Sequence, residues 1–554
     1  MLVLWRETSG TETVTAKVQA DPIQSPTTHI QAQVRQMPML PYAMIASCLD
    51  EAWKAGRSKR PELVAGLLSS VPPEHLCASV RLLTGELWPS WEKREMGAGP
   101  EMVSTALEEL SSEDVGLLRS SLADMGLVAE KAMESKSQHS LSMEPLDAMD
   151  VYVGLRRISE HIGPSSECRK ESILRGLFLN ATPLEARYIA RTLARNTASG
   201  LGPQTMISAL ATAFGLDAGQ VRDAYSRMPD LGAVALACSG GSLESIRMRP
   251  GVPVKPMIIP PGEGTFPGSY LARYPGLRVQ VHIWDAGFSA YTSNLKDISS
   301  ALQVLEGHLS GLESRFIAEA YLVCFQDGMM QSQSEVVRYI NREHNSRRAR
   351  QFPALIVSDL LFSDGQDLTG LAYSQRRKKL QSIPGQIQPE TGIYLAEEIV
   401  LEDAESMLTS SKERGLAGFT YRNPDACYLP GKVSTSDFAI KKPSEIISAV
   451  IIGVQYDEGK LVSRCLLALK DDEGYAPVGW APLSSGLRHV LADKVGEQAN
   501  ESHLEPLAAV RVSISGARCR DGQWHLVGPR ITEARPEAST DEVDDIEKLR
   551  TLDR

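Results

Sequence analysis

The hydrophobic pattern of the chain changes across a segment rich in proline and glycine, PGVPVKPMIIPPGEGTFPG, at residues 250–268. Before this segment, from residue 40 to about residue 235, apolar residues recur at three- and four-residue spacing, which is typical of packed helices. After it, runs such as LRVQVHIW alternate apolar and polar residues, as strands do. We therefore expect domains of different class, with residues 250–268 as the linker between them.

One part of the helical region contains a candidate phosphate contact. Residues 182–215 predict two helices joined by a turn at Gly200 and Gly202. A glycine turn at the start of a helix exposes backbone N–H groups, which can bind a phosphate. A plain corner between two helices is the alternative.

The region after the linker changes character again near residues 438–443. Strands such as RFIAEAYLVCF and ALIVSDLLF, with helical stretches between them, predict an α+β domain that ends there. The shorter strands that follow predict a small β-barrel of the OB type, with a hairpin turn at Asp521–Gly522. The last residues, TDEVDDIEKLRTLDR, predict an acidic helix or tail.

These patterns divide the chain into five segments. The first, residues 1–36, is polar and lacks the apolar core of a signal peptide, so we interpret it as a disordered tail or a misassigned start. The others are a helical domain (37–245), an α+β domain (246–443), a barrel domain (444–540) and an acidic tail (541–554).

Composition excludes several classes of function. The net charge of −11 excludes a chain that is basic throughout, so any DNA contact must come from local basic faces. The best basic stretches are residues 341–351 and 374–381, although most such runs are solvated helix faces. The eight cysteines form no CxxC pair or zinc spacing, which predicts a cytoplasmic protein without a metal site. No apolar run is long enough to span a membrane.

Seven segments, in order along the chain, resemble ATP-dependent DNA ligases of the archaeal and eukaryotic type. They are residues 185–215, 230–236, 250–257, 359–380, 428–432, 438–443 and 528–537. The resemblance implies an all-α DNA-binding domain, an α+β nucleotidyltransferase (ATP-grasp-like ligase) domain and a β-barrel OB-fold domain, which in that family close around nicked duplex DNA. It also implies the family's cofactors, ATP and Mg²⁺.

The residue that should attack ATP is missing from the matching position. The family motif is Lys-x-Asp-Gly-x-Arg, and this chain has RYPGLR, which places Arg273 at the lysine and Pro275 at the aspartate and keeps Arg278. A guanidinium is protonated at neutral pH and has no free lone pair, so it is a poor nucleophile. No lysine lies between Lys255 and Lys296 to replace it.

Other positions of the implied pocket also depart from the family pattern. The changed positions are Leu271, Ser293, Tyr321, Ser358, Ala417, Val433, Ile440 and Ala538, and Arg422 stands where a lysine is expected. The remnants of a nucleotide pocket are Arg278, Glu319 and Lys442. Arg273 and Arg278 could bind a phosphate, or could be salt-bridge arginines. Candidate DNA contacts are Gly200, Gly202, Arg530 and Arg535.

The sequence therefore predicts a divergent ligase-family paralogue that is defective in adenylation and binds duplex or nicked DNA weakly, without sequence specificity. No bound cofactor is expected, and the chain is expected to be a monomer that acts in replication or repair, where it could also contact other proteins. One alternative is an active ligase with a relocated nucleophile. Another is a structural partner without DNA affinity.

Overall fold

The amphipathic segments of the first part of the chain form helices in the computed structural model. The structure describes residues 39–137, 145–163, 166–194, 197–262, 268–285, 287–309, 315–341, 351–382, 392–399, 408, 411, 413–442, 444–456, 462–472, 474–483, 508–520, 522–535 and 542–552. The helices before the linker are α1 (Tyr42–Lys54), α2 (Arg60–Leu68), α3 (Pro73–Thr84), α4 (Pro100–Glu108), α5 (Val115–Ser121), α6 (Met125–Glu134), α7 (Ala148–Glu160), α8 (Ser166–Asn180), α9 (Pro183–Leu193), α10 (Pro203–Phe214), α11 (Ala218–Arg227) and α12 (Leu231–Ser239).

Several of these helices begin at a residue whose side chain caps the first turn. The side chains of Asp114, Asp147 and Asp217 each accept a hydrogen bond from a backbone N–H of the first turn. At α9, Thr182 and Glu185 form a reciprocal capping box, which satisfies donors that a helix start leaves unpaired. The helix pair predicted over residues 182–215 is confirmed as α9 and α10.

The segment 250–262, which belongs to the predicted linker, packs against the central region. Val254 and Met257 are fully buried, and the side chain of Gln280 holds the backbone of Val254 by donating to its carbonyl and accepting from its N–H. Ile258 and Pro261 form bridges with Val433 and Ile440 further along the chain. The extended backbone that proline favours is therefore held in place by its contacts with the central region.

The central region, residues 246–442, contains two sheets. The strands are β1 (Ser269–Ala272), β2 (Leu277–Trp284), β3 (Gly287–Thr292), β4 (Phe316–Gln326), β5 (Met329–Met330), β6 (Gln351–Ser363), β7 (Gln366–Asp367), β8 (Ile393–Leu395), β9 (Glu398–Ile399), β10 (Phe419–Arg422) and β11 (Phe438–Lys441). The smaller sheet has the order β11-β10-β1-β9, and the larger has β3-β2-β4-β6-β7 with β5 beside β4 and β8 parallel to β6. A core rich in tyrosine and phenylalanine lies between the two sheets.

Helices cover the other face of the larger sheet. They are a 3-10 helix at Ser299–Leu305, α13 (Glu306–Leu309), α14 (Gln333–Asn341) and α15 (Tyr373–Gln381). Among the described residues, three ion pairs join the helical region to the central region: Lys93 to Asp297 at 3.2 Å, Asp223 to Lys432 at 2.7 Å and Arg227 to Asp367 at 3.5 Å.

The C-terminal region is an antiparallel β structure. Its strands are β12 (Glu445–Tyr456), β13 (Val462–Asp471), β14 (Gly474–Pro482), β15 (Ala508–Ile514), β16 (Gly516–Arg520), β17 (Gln523–Val527) and β18 (Arg530–Arg535). Five pair in the order β14-β13-β12-β15-β18, and β16 and β17 form a separate hairpin. In the described residues this ladder does not close into a ring, so the predicted closed barrel stays a prediction.

The acidic end of the chain packs against this sheet. Ile546–Leu552 forms a 3-10 helix, and Val543, Leu549 and Leu552 are buried in the C-terminal core. The predicted tail is therefore in large part a structural element. Residues 1–36 lie outside the described residues. No helix in the described parts of the chain is long and apolar enough to cross a membrane.

Candidate nucleotide pocket and DNA-contact positions

Arg273 directly follows strand β1 of the smaller sheet. The backbone N–H of Arg273 donates to the carbonyl of Gly418 at 2.9 Å, and its carbonyl accepts from the N–H of Ala417 at 2.7 Å. Gly418 has φ of +103°, and a Cβ there would lie 2.2 Å from the carbonyl oxygen of Lys441. Only glycine fits this crossing.

A small pocket of about 30 Å³ lies beside Arg273, between the central and C-terminal regions. Lys442, Arg518 and Gln333 share this pocket with it, and we call the four residues the Arg273 pocket. The Nε atom of Arg273 is buried without a hydrogen-bond partner, and Arg518 donates to the Gln333 side chain at 3.2 Å. Burial, with the nearby charges of Arg273 and Arg518, lowers the pKa of Lys442 to about 8.

Arg278 and Glu319 are joined in a buried network rather than open to the pocket. Arg278 forms an ion pair with the Glu319 carboxylate and donates to the carbonyl of Met257 at 2.7 Å. The hydroxyl of Tyr428 also donates to Glu319. Burial would lower the pKa of Arg278, but the Glu319 carboxylate outweighs it and the pKa is raised. This is the salt-bridge role that the sequence left open for Arg278.

The second buried network was not foreseen. Asp359, in β6, accepts two hydrogen bonds of 2.9 Å from Arg376 and one of 2.8 Å from Arg422. All three side chains are almost completely buried. Burial would raise the pKa of Asp359, but the two guanidinium groups hold it below its usual value. Arg422, which stands where a lysine is expected, is thus part of the fold.

This network changes the interpretation of the basic stretch 374–381. Arg376 and Arg377 are buried, so of the four basic residues in this stretch only Lys378 and Lys379 face solvent. The other basic stretch, 341–351, lies mostly outside the described residues.

Several of the other positions that the sequence singled out take part in packing or in hydrogen bonds to the backbone. Tyr321 is 8% exposed and its ring lies 5.9 Å from that of Tyr274. Ser358 donates to the carbonyl of Glu319 at 3.3 Å, and Ser293 to the carbonyl of Arg278 at 3.2 Å. Ala538 lies outside the described residues. Among the described residues, no group of three or more His, Cys, Asp or Glu side chains could hold a metal ion.

The two glycines of the helical region differ in their surroundings. Gly200 has φ of +68°, and a Cβ there would lie 2.1 Å from the guanidinium of Arg60. Gly202 is the N-cap of α10 without a side-chain cap, and the space beside it is open. The exposed turn therefore presents Arg60 beside an uncapped helix start.

The two candidate arginines of β18 also differ. Arg530 is exposed. Arg535 forms ion pairs with Glu533 at 3.2 Å and Glu542 at 3.4 Å, so a phosphate would have to compete with these carboxylates.

Comparison with known proteins settles the family. Residues 41–211 match the family model described as DNA ligase N terminus, and residues 267–441 match the ATP dependent DNA ligase domain. The chain belongs to the ATP-dependent DNA ligase family. It is 27% identical over 547 residues to a DNA ligase of Methanoculleus marisnigri, covering 93% of this chain and 97% of that protein. It is 28% identical over 540 residues to a DNA ligase of Thermococcus fumicolans, covering 90% and 95%.

The chain also has a weaker likeness to a solved ligase structure. The ligase domain of LigD from M. tuberculosis aligns with 52% of this chain and 97% of its own length, at 20% identity and a TM-score of 0.32. A score this low adds nothing to the family assignment.

Proposed function

We propose that this DNA ligase family protein binds duplex or nicked DNA without forming a covalent AMP adduct, as a DNA-binding or scaffold protein in replication or repair. In this proposal it holds no bound cofactor, is a cytoplasmic monomer, and its C-terminal sheet and hairpin serve as an OB-type domain.

The observation that carries the proposal is the guanidinium at the end of β1. Arg273 stands at the position from which the family lysine attacks ATP, and attack on a phosphorus requires a neutral amine. A guanidinium, with a pKa above about 12, does not supply one. The side chain therefore favours non-covalent contact with an anion over covalent catalysis.

The surroundings of Arg273 support the same conclusion. The described residues that line the pocket include no carboxylate to hold a metal ion. Its volume of about 30 Å³ is also far below the roughly 300 Å³ at which sites for small organic ligands begin. Glu319, the carboxylate among the three family remnants, is engaged by Arg278 and Tyr428.

Among the activities of the family, DNA binding is the one for which this chain keeps suitable residues. The turn at Gly200 and Gly202, with Arg60 beside it, and the exposed Arg530 can meet phosphates without reading sequence. Because few such cations are available on a chain of net charge −11, we expect weak binding.

The DNA proposal is tested by fluorescence anisotropy with a nicked duplex and the full chain. We expect the affinity to fall steeply between about 50 and 200 mM salt, because each neutralised phosphate releases counterions. Arg530→Gln should weaken binding further, and Arg315→Gln, an exposed arginine paired with Asp285 in the central region, is the matched control. Absence of binding at low salt would favour the structural-partner alternative, and binding that ignores salt would contradict a phosphate-based contact.

One observation favours a second candidate, an active ligase with a relocated nucleophile. Lys442 shares the pocket with Arg273, and with a pKa of about 8 a sizeable fraction of its amine is neutral near physiological pH. Such an amine can act as a nucleophile. The two candidates differ in one product, a covalent lysine–AMP adduct.

A further inference from the structure

We propose that a cavity between α11 and the turn that joins β6 to β7 binds a small organic zwitterion with an apolar body. This is the chemistry of an apolar amino acid or a short peptide. We call the space the joint cavity, because it lies where the helical region meets the central region. None of the proposed DNA contacts and none of the Arg273 pocket residues line it, so the inference goes beyond the proposed function.

The joint cavity has the size and the position of a ligand site. Its volume of about 590 Å³ lies within the roughly 300–1,000 Å³ of sites for small organic ligands, which occur preferentially at domain interfaces. One wall is formed by α11 and by residues 243–248, which follow α12. The other wall is formed by Phe362, Gly365 and Asp367 of the central region.

Part of the lining is apolar and fixed by packing. Ala224, Ile246, Met248 and Phe362 line the joint cavity, and each is at most 8% exposed. Ala224 and Ile246 belong to one buried cluster, and Met248 and Phe362 belong to the core between the two sheets. Because this surface favours an apolar group over water, the ligand should carry an apolar body.

Two of the carboxylates that line the joint cavity already have partners. Asp223 forms an ion pair with Lys432 at 2.7 Å, and Asp367 forms one with Arg227 at 3.5 Å. Both pairs join the helical region to the central region. These four charges therefore balance one another at the joint without a ligand.

The other two charged residues of the lining have no such partner. Glu244 and Arg247 are exposed and, within the described parts of the chain, neither side chain forms an ion pair or a hydrogen bond. They are three residues apart on one wall of the cavity. An ammonium on the ligand can pair with Glu244 and a carboxylate with Arg247, through charge-assisted hydrogen bonds.

The balance of charge disfavours other classes of ligand. The described lining contains three carboxylates and two guanidinium groups, so a polyanion such as DNA would meet net repulsion. A wholly apolar ligand would take Glu244 and Arg247 out of water without giving them partners, which costs free energy. A zwitterion with an apolar body avoids both penalties.

The test is calorimetry on the full chain with the dipeptide leucyl-phenylalanine. Two blocked forms are compared with it, the N-acetylated dipeptide, which lacks the cation, and the dipeptide amide, which lacks the anion. We expect the free dipeptide to bind with a dissociation constant of millimolar or below. Each blocked form should bind about tenfold more weakly, because it loses one charge-assisted hydrogen bond.

Two variants assign each end of the dipeptide to a side chain. Glu244→Gln should bind the free and the N-acetylated dipeptide equally, and Arg247→Gln should bind the free dipeptide and its amide equally. Both residues are exposed, so both variants should fold, which circular dichroism checks. Arg249→Gln is the matched control, because Arg249 is exposed on the following turn of the chain and does not line the cavity.

Free phenylalanine distinguishes the two sources of this chemistry. Affinity equal to that of the dipeptide would identify an amino acid as the ligand, and much weaker affinity would identify a peptide. No binding of either probe at millimolar concentration would overturn the proposal, as would blocked forms that bind as tightly as the free dipeptide. Because these titrations contain neither DNA nor ATP, their failure is distinguishable from failure of the proposed function.

Discussion

Replacing Asp359 with asparagine should strongly destabilise the central region. The carboxylate is completely buried and accepts three hydrogen bonds, of 2.8 to 2.9 Å, from Arg376 and Arg422. Both guanidinium groups are themselves buried, so Asp359→Asn leaves two positive charges without a counter-charge. Breaking a buried pair in this way costs about 3–5 kcal/mol, and we expect a loss of unfolding free energy of at least about 3 kcal/mol.

Urea denaturation of the full chain, followed by circular dichroism, measures this loss. Asp364→Asn is the matched control, because Asp364 is exposed in the turn after the same strand, and its φ of +46° is one that asparagine tolerates. The control should change the unfolding free energy by less than about 0.5 kcal/mol. A loss below about 1 kcal/mol for Asp359→Asn would show that the two arginines do not depend on this carboxylate.

Two other predictions concern pH and nucleotide binding. Burial lowers the pKa of His282 to about 3. Below about pH 6.5 the imidazole is therefore protonated in the unfolded chain but stays neutral in the folded chain. The unfolding free energy should fall as the pH decreases below 6.5, by up to about 1.4 kcal/mol per pH unit from this group. His282→Asn should make the unfolding free energy less dependent on pH between 7.5 and 5, and an unchanged dependence would contradict the burial of a neutral imidazole. Calorimetry should detect weak or no ATP binding, since each lost charge-assisted hydrogen bond is worth roughly 1.5–3 kcal/mol, and micromolar affinity would refute this.

The elements of the fold could be predicted where the local pattern decides them. LRVQVHIW is the strand Leu277–Trp284. The hairpin predicted around residues 521–522 is formed by β16 and β17, in which Arg520 pairs with Gln523, although Asp521 itself lies outside the described residues. Such elements depend on residues that are close in the sequence, and the hydrophobic periodicity of those residues predicts them.

Features that depend on distant partners could not be predicted in the same way. Proline and glycine in residues 250–262 indicate a linker, but the packing of Val254 depends on the side chain of Gln280. The basic character of Arg376 is visible in the sequence, and its burial depends on Asp359.

Only part of the candidate site could be predicted from the sequence, for the same reason. Arg273 and Lys442 were found through the family pattern. Arg518 and Gln333 carry no sequence signal, because only the packing of the C-terminal hairpin brings them to the pocket.

The most direct test of the account is incubation with labelled ATP and Mg²⁺, followed by a denaturing gel. We predict no labelled band for the unmodified chain, and none for Arg273→Lys, because the described lining of the pocket includes no carboxylate and encloses only about 30 Å³. Lys442→Ala, with Lys441→Ala as its neighbouring control, identifies the attachment site of any label. A labelled band that survives denaturation in the unmodified chain would contradict the central claim, and its loss in Lys442→Ala alone would establish the relocated nucleophile.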